Sequence, residues 1–114
     1  MAPIEGDKLR GHLAGLILAS LESGAAHGWE IWTRLESAGD GALRLKEGSL
    51  YPALYRLEQE GLIAARWEAA ESARRGPRRR IYRLTGKGRK RLTAAREEWR
   101  QFVTVLGGLL GGTT

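Results

Sequence analysis

The stretch GSLYPALYRLEQEGLI, from Gly48 to Ile63, decides how the rest of the chain is read. Leu50, Leu54 and Leu57 recur at helical spacing and line one face of a helix with apolar side chains. Ser49 can cap its N-terminus, Pro52 falls in the first turn where a missing N–H breaks no helical bond, and Gly61 stands where a C-terminal glycine belongs. A short, sharply bounded helix is predicted. With its leucines inward, Ser49, Pro52, Tyr55, Arg56 and Gln59 face outward and Tyr51 lies on the flank.

Upstream, Leu9, Leu13, Leu16, Ile17 and Leu21 predict an amphipathic helix over Lys8 to Ser23. Trp29, Ile31, Trp32 and Leu35 predict a second, closed by the turn cluster Gly39-Asp40-Gly41. Downstream, Ile63, Ala65 and Trp67 alternate, and Arg80, Tyr82 and Leu84 repeat the alternation after Gly76-Pro77, so two strands joined by a long basic loop form a hairpin. Thr85 can cap a last helix from about Lys87 to Leu110. Its apolar residues Leu92, Ala95, Trp99, Phe102, Leu106 and Leu109 follow spacings of 3, 4, 3, 4 and 3, a period suited to helix-on-helix packing between chains. The terminal Gly-Gly-Leu-Leu-Gly-Gly-Thr-Thr is expected to fray.

Composition narrows the function classes. At 114 residues the chain has room for one domain, and its apolar content lies in Leu and Ala, with one Phe and one Met, which favours helix. There is no cysteine, and two histidines cannot close a zinc site, so no metal or cofactor is expected. The N-terminus lacks a leader pattern and no apolar run approaches the roughly 20 residues of a membrane span, so a cytoplasmic protein without a membrane partner is expected. His12 and His27 have no nucleophile or carboxylate at a useful spacing, and Glu97-Glu98 reads as a solvated helix face. Gly86-Lys87-Gly88 is no phosphate loop, since Ile81 occupies the place of the leading glycine and Gly88 that of the hydroxyl residue. An enzyme is not expected.

The charge is unevenly placed. Between Arg74 and Arg91 lie ten basic residues and no acidic one, whereas the rest of the chain carries nine basic and thirteen acidic, a balance of −4 within a total of +6. A localised basic block on a mildly acidic body is the footprint of a polyanion-binding surface.

Three helices, a hairpin with a basic tip and a long last helix give a mainly α (α+β) fold, a winged helix-turn-helix with a two-stranded wing and a C-terminal dimerisation helix. Residues 1–85 form the expected DNA-binding part and 86–114 the dimerisation helix with its tail, in one continuous unit. The third helix is narrow enough for the major groove, and the wing sets cations beside phosphates.

The run from Gly48 to Ile63 resembles the recognition-helix signature of PadR-like transcriptional regulators. The resemblance extends to His27-Gly28-Trp29-Glu30-Ile31 and to GPRRRIYRLTGKGRKRL from Gly76 to Leu92, and so covers most of the chain in order. It implies a dimeric repressor, bound to a roughly palindromic double-stranded DNA operator, whose last helix supplies most of the dimer interface. It also implies that Tyr51 contacts DNA and that Arg56 occupies a basic position of the family. In short PadR-like members that bind planar drugs, a tryptophan similar in position to Trp99 helps form an aromatic pocket, so a small aromatic effector is implied.

The expected DNA contacts are Ser49, Tyr51, Pro52, Tyr55 and Arg56 on the third helix, Lys46 just ahead of it, and Arg75, Arg78 and Arg79 in the wing. Arg80 shares a face with Tyr82 and Leu84 and belongs to the strand. Plainer roles compete at three positions: Tyr51 packed against the first helix, Arg56 paired with Glu60, and Trp99 simply packing the dimer seam. Two rival classes also fit the composition, a protein-interaction module and a non-specific nucleic-acid binder.

Overall fold

A computed structural model describes residues 3–5, 9, 11–69 and 76–111. The chain runs β1 (Ile4–Glu5), α1 (Leu13–Ser20), β2 (Ala26–His27), α2 (Gly28–Ala38), β3 (Leu43–Arg44), α3 (Glu47–Gln59), β4 (Ile63–Trp67), β5 (Arg80–Leu84) and α4 (Gly86–Leu110). Four helices and a small antiparallel sheet make the mainly α winged-helix arrangement expected from the sequence.

The core is where the three short helices meet the sheet. Ile17, Leu18 and Leu21 of α1, Ile31 and Leu35 of α2, and Leu50, Leu54 and Leu57 of α3 are buried together with Leu62, Ile63, Tyr82 and Leu84. The leucine stripe of α3 therefore points inward as its spacing requires. Polar bonds fix the helices where the apolar faces meet. The Arg34 guanidinium donates to Ser20 O and Gly24 O at 2.9 and 2.8 Å, tying α2 to the end of α1, and the Trp32 indole N–H donates to Leu45 O at 3.3 Å.

Helix α1 is shorter than the apolar periodicity predicts. It begins after Gly11, whose φ of +87° is incompatible with a helical turn, and Leu9 lies in a turn instead. Leu18, outside the predicted stripe, is buried. Trp29, expected to help define the apolar face of α2, is exposed and packs edge-on against Trp32.

Two expectations at the start of α3 are corrected. Lys46, not Ser49, is the N-cap, and it caps without a side-chain bond; Ser49 is already in the first turn, its N–H donating to Lys46 O at 2.9 Å. Pro52 thus falls beyond the first turn, inside the helix, and removes the bond that would end on the Gly48 carbonyl. Gly48 is exposed, so water can satisfy that carbonyl. The C-terminus is as expected: Gly61 adopts φ +76°, its N–H donates to Glu58 O and the Leu62 N–H donates to Leu57 O, both at 3.0 Å. These two bonds form a Schellman motif and turn the chain into β4.

The wing is the expected two-stranded hairpin, and a third strand joins its sheet. β4 and β5 pair antiparallel with Ile63 opposite Leu84, Ala65 opposite Tyr82 and Trp67 opposite Arg80. β2 adds to the other edge of β5, with Ala26 opposite Tyr82 and His27 opposite Ile81. Two residues are too short a run to show alternation, so β2 left no periodic signal. A second small sheet pairs β1 with β3 in parallel.

Thr85 caps α4 as predicted, accepting the Gly88 N–H at 3.0 Å while its hydroxyl donates to Gly61 O at 2.7 Å. The helix passes through Gly107 and Gly108 and ends at Gly111, whose φ is +78°, so it does not fray where the glycines begin. The expected seam divides. Leu92 is only 3% exposed and belongs to the core of its own chain, and Ala95 faces Gly15 of α1. Trp99, Phe102, Leu106 and Leu109 are exposed. The stripe is continuous, but its first turns are covered by α1 and its last turns project beyond the body.

Candidate nucleic-acid interface

The outer face of α3 carries Ser49, Tyr51, Pro52, Tyr55, Arg56 and Gln59, all exposed. Tyr51 and Tyr55 are 53% and 66% exposed, so two large aromatic side chains stand on a surface the core does not use. The Tyr51 ring lies over Gly28 at the start of α2, close enough that a Cβ there would sit 2.7 Å from the phenolic oxygen. Arg56 pairs with no carboxylate among the described residues, and Glu60 instead accepts the Lys87 ammonium on its main-chain oxygen at 2.8 Å. Lys46 is exposed at the entry to the helix.

The wing arginines divide by environment. Arg75 lies outside the described residues, and Arg78 is exposed. Arg79, expected beside it as a DNA contact, is half-buried: its Nε and one terminal nitrogen donate to Glu68 Oε2 at 3.2 and 2.9 Å, and the other terminal nitrogen lies 2.8 Å from His27 Nε2. Arg80 donates to Glu58 of α3 at 2.6 Å, and its guanidinium carbon lies 5.2 Å from the centre of the Trp67 ring. That pairing joins wing to recognition helix through charge and cation–π attraction. The acidic partners could not be read from the sequence, because Glu58 and Glu68 are 22 and 11 residues from the arginines they hold.

Between α2, α3 and the wing lies a shallow cleft of about 160 Å³ lined by His27, Gly28, Trp29, Tyr51, Arg79, Arg80 and Tyr82. Burial pushes the Tyr82 phenol above its ordinary value, so it stays neutral at the floor of the cleft. His27 is buried and faces both Glu30 and Arg79. Its Nδ1 is 3.3 Å from the Glu30 N–H in the cap of α2, while Nε2 faces Arg79 and lies 3.1 Å from Glu30 Oε1. A neutral imidazole carries one proton. With that proton on Nδ1, Nε2 accepts from Arg79; with it on Nε2, Nδ1 accepts the cap N–H and Nε2 donates to Glu30. Wing and helix cap thus compete for one ring. Trp29, His27 and Glu68 were missed as site residues, although the His27-Gly28-Trp29 run marked the place.

A second exposed cluster lies on the projecting half of α4. Trp99 stacks on Phe102 at 5.6 Å with 16° between planes, and His12 meets Trp99 edge-on at 5.6 Å and 82°. Among the described residues no group of metal-ligating side chains occurs, and no helix is long and apolar enough to cross a membrane.

Comparison with known proteins places this geometry. The model of the transcriptional regulator PadR-like family matches residues 17–94. A transcriptional regulator from Clostridium thermocellum superposes with a TM-score of 0.81 at 31% identity, covering 92% of this chain and 96% of that one. A PadR-like transcriptional regulator from Bacillus cereus gives 0.76 at 32% identity, covering 95% and 100%. A transcriptional regulator of Mycobacterium tuberculosis is 39% identical over 66 residues, 57% of this chain and 58% of that protein.

Proposed function

Because the chain belongs to the PadR-like family of transcriptional regulators, we propose that it is a homodimeric, cytoplasmic repressor of its own or a neighbouring operon. It binds a roughly palindromic double-stranded operator with one α3 in the major groove of each half-site. The observation that carries this reading is the outer face of α3, where Ser49, Tyr51, Pro52, Tyr55 and Arg56 are exposed and, among the described residues, Tyr55 and Arg56 form no side-chain hydrogen bond or ion pair. Exposed Lys46 and Arg78 supply phosphate contacts, and Arg75 is assigned the same role from the sequence alone. Residues 1–85 read the DNA and residues 86–114 pair the subunits, in one continuous unit.

Two observations support pairing through α4. The accessible surface of 8161 Å² exceeds the roughly 6,200 Å² of a compact monomer of this mass. Much of the excess is apolar, in Trp99, Phe102, Val103, Leu106, Leu109 and Leu110. The stacked Trp99 and Phe102 with His12 beside them support a small planar aromatic effector at the same seam, acting by stacking.

Footprinting on the DNA upstream of the protein's own gene, with random competitor, tests the reading. A discrete symmetric protected site is expected; general protection would mean non-specific binding, and none would mean an interaction module. Titration over salt is expected to give a steep loss of affinity, corresponding to about six to ten neutralised phosphates per dimer.

A further inference from the structure

Arg79 is the wing residue whose environment departs furthest from that of a groove contact. Its guanidinium is engaged on three of its nitrogens: Nε and one terminal nitrogen on Glu68 Oε2, the other terminal nitrogen on His27 Nε2. Glu68 directly follows β4, Arg79 directly precedes β5, and the Glu68 N–H donates to Arg79 O at 2.7 Å. His27 closes β2 and is the N-cap of α2. One side chain therefore fastens all three strands of the sheet at the loop end and links them to the first turn of α2, against which Tyr51 of α3 rests. To reach a phosphate, Arg79 would have to break two charge-assisted bonds to a carboxylate whose side chain is 14% exposed and withdraw from the buried His27 ring 2.8 Å away. Arg78, its exposed neighbour, reaches the backbone without such a loss.

We propose that Arg79 is a positioning residue rather than a phosphate contact: a strut through which Glu68 and His27 set the angle of the wing to α2 and hence to the recognition helix. The proposal rests on the DNA-binding reading above. Its chemistry requires a planar fork with several fixed donors, which lysine lacks although it keeps the charge.

The decisive variant is Arg79→Lys, compared with Arg79→Ala, Glu68→Ala and the double variant R79A/E68A in the full-length protein. A strut predicts that R79K and R79A lose operator affinity relative to random DNA by about the same factor, roughly fivefold for a partly exposed charged pair. E68A loses it too, the double variant loses no more than the worse single one, and the salt slope stays that of the wild type. A phosphate contact predicts the opposite pattern. R79K then binds like the wild type, R79A weakens operator and random DNA alike with a slope smaller by about one, and E68A binds more tightly. That pattern overturns the proposal. Amide exchange without DNA reads the strut independently: R79K is expected to speed exchange in residues 63–67 and 80–84, and unchanged protection overturns it. If the wild type protects no discrete site, the DNA reading fails while the exchange measurement still decides the strut.

Discussion

Two glycines show how closely single residues control this surface. A Cβ at Gly88 would lie 2.0 Å from Leu62 O and 2.9 Å from a Leu84 methyl, so the first turn of α4 rests directly on the backbone that leads into β4. That carbonyl also accepts the Thr85 N–H at 3.2 Å and cannot move aside cheaply. Gly88→Ala is expected to cost about 3 kcal/mol in urea unfolding. Gly28 is different. The three atoms nearest a Cβ there all belong to the outer end of the exposed Tyr51 ring, which can swing outward. Gly28→Ala is therefore expected to change stability by less than about 1 kcal/mol, since alanine also favours the helix, yet to weaken operator binding measurably by displacing Tyr51. Equal operator affinity in wild type and G28A would remove Tyr51 from the contact set.

At the scale of elements, α1 and α4 are joined by Gly15 against Ala95 and by an exposed ion pair in which Arg96 donates to both Glu22 carboxylate oxygens at 2.9 and 2.6 Å. The Arg96 hydrogen bonds hold the Glu22 carboxyl below its ordinary 4.5. A depressed carboxyl contributes stability above its unfolded value and loses it as pH falls through the lower folded value. Glu22→Gln is therefore expected to be slightly less stable than wild type at neutral pH, with the difference vanishing in acid; urea midpoints from pH 3 to 7 check this. A constant difference across that range would mean that the pair does not titrate with folding.

The elements also show what the sequence could convey. Where an apolar stripe ran for two turns or more, as at Leu50, Leu54 and Leu57, both the helix and its buried face were legible. The outward face of α3 followed by subtraction. The N-terminus of α3 did not follow: Ser49 as N-cap would start the helix at Leu50 with Pro52 in its first turn, a chemically sound cap, whereas the helix starts at Glu47 and takes Ser49 into its first turn. Nor did the fate of Arg79, since alternation assigns a face but cannot say that Glu68 and His27 wait there. The family resemblance marked His27-Gly28-Trp29 as significant before any physical reason for it was visible.

For the whole molecule the telling quantity is shape. The radius of gyration is 15.8 Å, whereas a compact domain of 114 residues is expected near 13 Å. Helix α4 accounts for the difference: its 25 residues span about 37 Å at 1.5 Å per residue. Its first turns are held by the body through Leu92, Ala95 and Arg96, with His12 reaching the edge of Trp99. Beyond them Trp99, Phe102, Val103, Leu106 and Leu110 repeat at three- and four-residue spacing along one exposed stripe. An isolated helix end with that much apolar surface is unfavourable in water, and a second copy of the same stripe can cover it through an isologous contact. Leu106 is the least exposed of these side chains at 37%. Leu106→Asp is therefore expected to convert a sedimenting dimer to a monomer that keeps its helical circular dichroism. A palindromic operator should then lose far more affinity than a half-site, because the linked second binding event is gone. If L106D sediments as the wild type does, the subunits pair elsewhere, and the spacing of the two α3 helices must be set by another surface.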